Sequence, residues 1–355
     1  METRSLDFLK RLLNTPGPSG FEAPVARLWR GEAEGFADSV WADVSGNSFA
    51  LLQPEGAPRV MLAGHIDEIG LMVTHIDDQG FVYFSAIGGW DAEVLIGQRV
   101  RLLSKNGAVP GVIGKKAIHL QDREEREKPS KIKNLWIDIG AKDGKEAKSW
   151  IRVGDAAVLD ADLVELPSGR LVSRSLDNRI GAFVVLEALR LLAQKRPAAQ
   201  VVSVATSQEE IGYPGGGGAR TSAFGLEPHV AIVVDVTHAT DYPTAEKKEE
   251  GDHPLGGGPV LNRGSAINPV VFERLVETAE KHKIPHTLEA SPRSTGTDAD
   301  AIFGARSGIA TGLVSVPNRY MHSPNEMVAL DDLTRAAELI AHFVRSLGPD
   351  DDFVP

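Results

Sequence analysis

The chain has 355 residues, enough for one large domain or two moderate ones with complete cores, and its 42% hydrophobic and 25% charged content is that of an ordinary globular protein. A net charge of -11, with no basic block long enough to make a phosphate-binding face, argues against nucleic acid or an anionic membrane as the main partner. The chain has no cysteine, so disulfides and thiolate chemistry are excluded and any metal must take nitrogen and oxygen ligands.

The N-terminus Met1-Glu-Thr-Arg-Ser-Leu-Asp7 lacks a basic segment followed by an apolar one, so no signal peptide is expected, and no apolar run reaches membrane-spanning length. A soluble, cytoplasmic protein is the expectation. Ser5 to Leu13 carries apolar residues at helical spacing, with Ser5 as a candidate cap. Pro16 to Gly20 breaks that helix, and Glu22 to Phe36 reads as a second. Val40 to Leu52, with Ser45-Gly-Asn47 at its middle, reads as a β-hairpin. The apolar run from Val60 ends at Gly64 and His65 as a buried strand. Strand periodicity then puts His65 and Asp67 on one face, as a metal ligand and the carboxylate that orients it.

From Leu71 to Leu159 the texture becomes short alternating runs with no long helical pattern before about Gly144. This suggests a small β-barrel or sandwich inserted into the larger domain. The charged run Gln121 to Pro129 reads as a solvated loop. After about Ala161 strands and helices alternate: a long helix over Asn178–Gln194, strands at Val201–Ala205 and Val230–Val234, a helix over Pro269–Lys283, a strand at Ile309–Val316 and a closing helix over Asp331–Leu347. The fold class expected is α/β, a mainly parallel or mixed sheet covered by helices on both faces. The tail from Pro349 to Pro355 reads as frayed.

Ligands of open α/β sheets bind beyond the carboxyl ends of strands. His65 and Asp67, Asp177, Glu209 and Glu210, Asp235 and His322 each follow a candidate strand. Taken singly, each has an ordinary reading: Asp177 as a helix N-cap, Glu209-Glu210 as an exposed pair, Asp235 as a turn residue. Taken together they suggest one site of His and carboxylate ligands for Zn or a similar divalent ion. The surplus of ligands suits two metals sharing a bridging carboxylate, leaving one member of the Glu pair as general base. Gly215 to Gly218 lacks the Gly-Lys-Ser/Thr of a phosphate loop and reads as a mobile loop beside that pair. His238 is a minor candidate ligand. The other seven histidines read as structural.

The motifs Ala63-Gly-His65-Ile-Asp67-Glu-Ile-Gly70, Gly88-Gly-Trp-Asp91, Leu176-Asp177-Asn-Arg-Ile-Gly181, Gln208-Glu209-Glu210-Ile-Gly212, Val234-Asp235-Val-Thr237, Gly296-Thr-Asp-Ala299 and Tyr320-Met-His322-Ser-Pro-Asn-Glu-Met327 together resemble the family 42 metallopeptidases. These are dinuclear aminopeptidases of the tetrahedral type, some of them labelled endoglucanases. The resemblance implies Asp177 as metal bridge, His65 and Asp235 on one metal, and Glu210 and His322 on the other. It further implies Glu209 as general base and Asp67 as the residue orienting His65. The cofactor implied is two divalent ions, Zn first, with Co or Mn as alternatives. Residues 1–69 and 160–355 would form the catalytic domain and 70–159 an inserted dimerisation domain. Peptides with a free N-terminus would be the substrates, and a homo-oligomer, dimer or tetrahedral dodecamer, the working form. Rival expectations are a metal-free glycosidase using two carboxylates, a carboxypeptidase or deacetylase with the same metal core, and a non-catalytic scaffold.

Overall fold

The computed structural model describes residues 1–213 and 216–355. Two helices, α1 (Thr3–Asn14) and α2 (Ala23–Ala33), lead into the hairpin β1 (Ser39–Ala42) and β2 (Ser48–Leu52) and then β3 (Arg59–His65). Ser5 is not the cap of α1. It lies inside the helix, buried, and its hydroxyl donates to Glu187. Trp29 of α2 is fully buried and donates its indole N–H to Ala182 O at 2.8 Å, pinning α2 to the central helix.

Six strands follow: β4 (Gly70–Ile76), β5 (Val82–Ile87), β6 (Arg99–Ser104), β7 (Gly107–Gly114), β8 (Trp136–Asp138) and β9 (Ala156–Leu159). They close into a barrel in the order β4-β5-β8-β7-β6-β9. Leu71, Val82, Val100, Leu102, Ile113 and Ile137 fill it as a hydrophobic cluster of its own. Three short helices decorate it: α3 (Ala92–Leu95), α4 (Arg123–Glu127) and α5 (Gly144–Trp150). The run Gln121–Pro129 is therefore not a plain loop. Asp122 and Glu125 form a reciprocal capping box, which lets one turn of an exposed, charge-rich segment become helical.

The chain returns through β10 (Val164–Leu166) and β11 (Arg170–Ser173) to the long helix α6 (Leu176–Gln194), then β12 (Gln200–Thr206), α7 (Gly217–Leu226), β13 (Val230–His238) and α8 (Lys247–Glu250). The rest is β14 (Val260–Gly264), α9 (Pro269–His282), β15 (Thr287–Ser291), α10 (Asp298–Phe303), β16 (Ala310–Asn318), β17 (Glu326–Ala329) and α11 (Leu330–Ser346). The expected glycine loop falls partly on Pro214 and Gly215, which lie outside the described residues. Gly217 and Gly218 belong to the first turn of α7.

Eight strands form one sheet in the order β1-β2-β12-β3-β13-β16-β14-β15. The central strands β12, β3, β13 and β16 are parallel, while β1, β2 and the β14–β16 pairing are antiparallel. Helix α6 packs on β3, β12 and β13, with α11 and α9 beside it, while α7 and α10 cover the other face. This is the α/β class expected, with a closed barrel beside the sheet. The tail is not frayed. Phe353 is buried against the main core, its carbonyl accepts from Asn268 Nδ2 at 2.8 Å, and Asp351 pairs with Arg274 at 2.9 Å.

Candidate metal centre

Strand register opens the site. Strand β13 pairs with β3 only from Val230 to Val233, but continues beside β16 to His238. Asp235 therefore lies within β13 rather than after it, as the sequence had suggested, because β16 carries the ladder onward. His65 ends β3, and the gap between the diverging strands leaves Asp235 facing it, Oδ1 3.9 Å from His65 Nε2. Asp177 arrives from the far side. It follows β11, a strand of the small sheet β10-β11-β17, and starts α6 with non-helical backbone angles. Its neighbour Asn178 fixes that turn by donating to Val234 O and accepting from Gly181 N at 2.8 and 2.9 Å.

Asp177 stands between two imidazoles. Its Oδ1 is 3.2 Å from His65 Nε2 and its Oδ2 is 3.4 Å from His322 Nε2. Glu210 lies beyond His322 at 3.3 Å, and Glu209 Oε2 is 3.7 Å from His65 Nε2. Two trios of ligand atoms result: His65, Asp177 and Asp235, and Asp177, Glu210 and His322. Within each trio the atoms lie within 4.8 Å of one another. These five residues and Glu209 come together; His238, at the exposed end of β13, joins neither trio.

Asp67 supports this arrangement from behind. It is fully buried, with Oδ1 3.3 Å from His65 Nδ1, though not aligned as a hydrogen bond. The same carboxylate accepts from Ser19 Oγ at 2.6 Å and from the backbone N–H groups of Glu209 and Glu210 at 3.2 and 3.1 Å. One side chain thus ties the imidazole to the loop that carries the Glu pair.

Glu326, which has no role assigned from its sequence context, performs a similar task on the other side. It is buried, and its two oxygens accept the backbone N–H of Asp177 and of His322, each at 2.9 Å. Ser19 and Asp298 were also missed. Asp298 is buried and accepts from Thr206 Oγ1 beside Glu209. All three sat within quoted motifs or breaks, but nothing in their spacing separates a group that holds backbone from one that faces the cavity. Four non-glycine residues flanking the ligands have left-handed backbone: Ser175 (φ 60°), Gln208 (60°), Tyr320 (61°) and His322 (59°).

The electrostatics are those of crowded carboxylates. Burial, opposed by His65 but helped by the neighbouring Asp235, Asp298 and Glu210, pushes Glu209 up to about 10. Burial and Asp177 bring Glu210 to about 7, and burial likewise raises Asp235. Asp177 goes the other way: burial opposes its charge, but contacts from His322 and His65 hold it well below the usual carboxylate range. Contacts with Asp177 and Glu210 raise His322 to about 11. His65 is also raised, since Glu209, Asp177 and Asp67 outweigh its burial.

The donors fit divalent metal binding. They are oxygen and imidazole nitrogen, the set suited to Zn and its neighbours. Glu210 Oε1 is buried with no hydrogen-bond partner among the described residues. An excess of buried carboxylates over imidazoles calls for positive charge from outside the chain.

A family model described as M42 glutamyl aminopeptidase matches residues 46–339. A lysyl aminopeptidase of Pyrococcus furiosus is 36% identical over 353 residues, covering 98% of this chain and 99% of its own. Among solved structures, a TET aminopeptidase from a marine-sediment Thaumarchaeota archaeon aligns with a TM-score of 0.92 at 33% identity, over 97% of this chain and 96% of the other. The TET1 peptidase of Pyrococcus horikoshii, described as able to assemble into a tetrahedron or a large octahedral shell, aligns with a TM-score of 0.84 at 30% identity, over 97% and 100%.

Proposed function

The chain belongs to the M42 glutamyl aminopeptidase family, and from that premise we propose that it releases N-terminal residues from peptides using two divalent cations and a glutamate base. The observation that carries this reading is the position of Asp177, one carboxylate shared by two ligand trios. In this reading His65 and Asp235 would hold one cation and Glu210 and His322 the other, with Asp177 available to both. Zn is the first choice, with Co or Mn as alternatives. When bound, such a pair supplies Lewis acidity that acidifies a water and polarises a carbonyl.

The chain's own residues do the rest. Asp67 holds His65 in one orientation, so that Nε2 faces the cavity. Glu326 fixes the backbone of Asp177 and His322, keeping both trios in register. Glu209, with Oε2 3.7 Å from His65 Nε2 and outside both trios, takes the proton of the attacking water and returns it to the leaving amine.

The domain division proposed is a catalytic domain of residues 1–69 and 160–355 with residues 70–159 as the dimerisation domain. Ile118, Leu120 and Val153 support this, since all three are large apolar side chains exposed on the barrel segment. Dimers so formed would build a tetrahedral dodecamer. Among the described residues no helix is long and apolar enough to cross a membrane, and the compartment proposed is the cytoplasm.

The test is hydrolysis of a panel of aminoacyl chromogenic substrates before and after chelation, with Zn, Co or Mn added back. Activity on free N-termini that disappears on chelation and returns with metal is expected. Turnover of these substrates that survives chelation would sink the metal mechanism. Cleavage that needs no free N-terminus would favour the carboxypeptidase or deacetylase reading.

A further inference from the structure

The cavity over the proposed centre has a volume of about 420 Å³, within the range of small-ligand sites. His65, Asp177, Glu209, Glu210, Asp235 and His322 line it, and so does one further carboxylate, Glu289. Glu289 sits on β15, the edge strand of the large sheet, and is half-buried. Its Oε2 is withdrawn from solvent and has no hydrogen-bond partner among the described residues. No Lys or Arg lies in the described cavity wall.

A carboxylate oxygen taken out of water without a donor is unfavourable unless a donor is supplied. The other buried carboxylates around the site have their donors: Asp67 has Ser19 and two backbone N–H groups, Glu326 has two backbone N–H groups, and Asp298 has Thr206. Glu210 has an unpaired oxygen too, but it belongs to a ligand trio. Glu289 belongs to none, and as a lining carboxylate outside both trios, with no Lys or Arg in the wall to balance it, it presents the cavity with negative charge that a cationic substrate group can meet. Met321, in the same wall, offers an apolar surface along which a methylene stem can lie.

Resting on the aminopeptidase reading, we propose that Glu289 receives the cationic side chain of an N-terminal Lys or Arg, so that the preferred substrates are peptides with a basic first residue. The ammonium chemistry that fits Glu289 has a second source, the α-amino group that every substrate carries, and the experiment separates the two.

The metal-loaded full chain is assayed on lysyl-, arginyl-, leucyl- and glutamyl-p-nitroanilide. The wild type should favour the two basic substrates. Glu289→Gln should lower the lysyl-to-leucyl ratio of kcat/KM by about 10- to 100-fold, the loss of one charge-assisted hydrogen bond. Competition by free L-lysine should weaken by a similar factor relative to L-leucine. Glu289→Lys should raise the glutamyl-to-lysyl ratio. Circular dichroism and metal content establish that each variant is folded and loaded. An unchanged ratio overturns the proposal. An equal fall on all four substrates also overturns it and assigns Glu289 to the α-amine. A wild-type preference for the glutamyl substrate overturns it too, and points to Arg220 in the adjoining cavity. No hydrolysis of any substrate by the wild type would defeat the aminopeptidase reading itself.

Discussion

Glu209→Gln exchanges one oxygen for an amide and leaves the side-chain volume almost unchanged. If Glu209 moves the proton, this variant keeps both metals and loses about 10²–10⁴ in kcat; metal analysis beside steady-state kinetics reads both, and near-normal turnover would remove it from the mechanism. A second residue-scale test concerns Glu68, one position from Asp67. It is buried, paired with Arg174 and, at 2.8 Å, with Arg179, which in turn donates to Leu12 O at 2.7 Å and Ile66 O at 3.2 Å. Burial pushes Glu68 up, but the two guanidinium groups outweigh it and hold the carboxyl below its ordinary range. A depressed value means the contribution to stability is full above the ordinary Glu range and is lost as pH falls through the depressed one. Urea unfolding should therefore show Glu68→Ala less stable by about 3–5 kcal/mol at pH 7, since two buried arginines lose their partner. Glu68→Gln should show a flatter acid limb than wild type. His65, Asp177, Glu209, Glu210, Asp235 and His322 line the cavity and stand beside recognisable motifs in the sequence, whereas Glu289 in the same wall lies in no such motif. The roles of Glu68, Ser19 and Glu326 were not legible, because they act on backbone and on other side chains, and local spacing carries no trace of that.

At the scale of elements, β3 and α6 make a close backbone approach. A Cβ on Gly64 would come within 2.4 Å of the carbonyl carbon of Gly181 and 2.7 Å of Ala182 N, so strand and helix touch backbone to backbone. Gly64→Ala should push β3 away from α6, costing about 1–3 kcal/mol as an overpacked core. Because His65 and Asp177 ride on those two elements, metal content should fall together with the urea midpoint. A variant destabilised to that degree yet fully loaded would show that the centre tolerates their separation. The parallel strands and long helices were readable from hydrophobic period. Other features were not. β14 and β15 are short and rich in polar residues, and β11 looks like a main-sheet strand but pairs with β10 and β17. Pairing partners are a property of tertiary contact, which a run of side chains does not reveal.

For the whole molecule, the barrel was inferred from its short alternating strands, whereas its use as an interface rests on likeness to relatives. Replacing both Ile118 and Leu120 by Asp would put charge into the exposed apolar surface proposed to pair the subunits. Light scattering after gel filtration should then report a smaller particle than wild type. An unchanged mass would move the interface elsewhere. The C-terminal tail carries a related lesson: it reads as frayed, but Phe353 finds a buried place and, with the Asp351–Arg274 pair, anchors it. Single apolar residues near a terminus have no period, so sequence pattern passes over them.

Left-handed backbone at Ser175, Gln208 and Tyr320, each one or two residues from a candidate ligand, has a bearing on how such a protein can be improved. Glycine would relax each of these positions, by roughly 1 kcal/mol apiece. Directed evolution for heat tolerance, run without a turnover assay, would thus be drawn to the very loops that present Asp177, Glu209 and His322. Its winners would be sturdier proteins whose ligands wander.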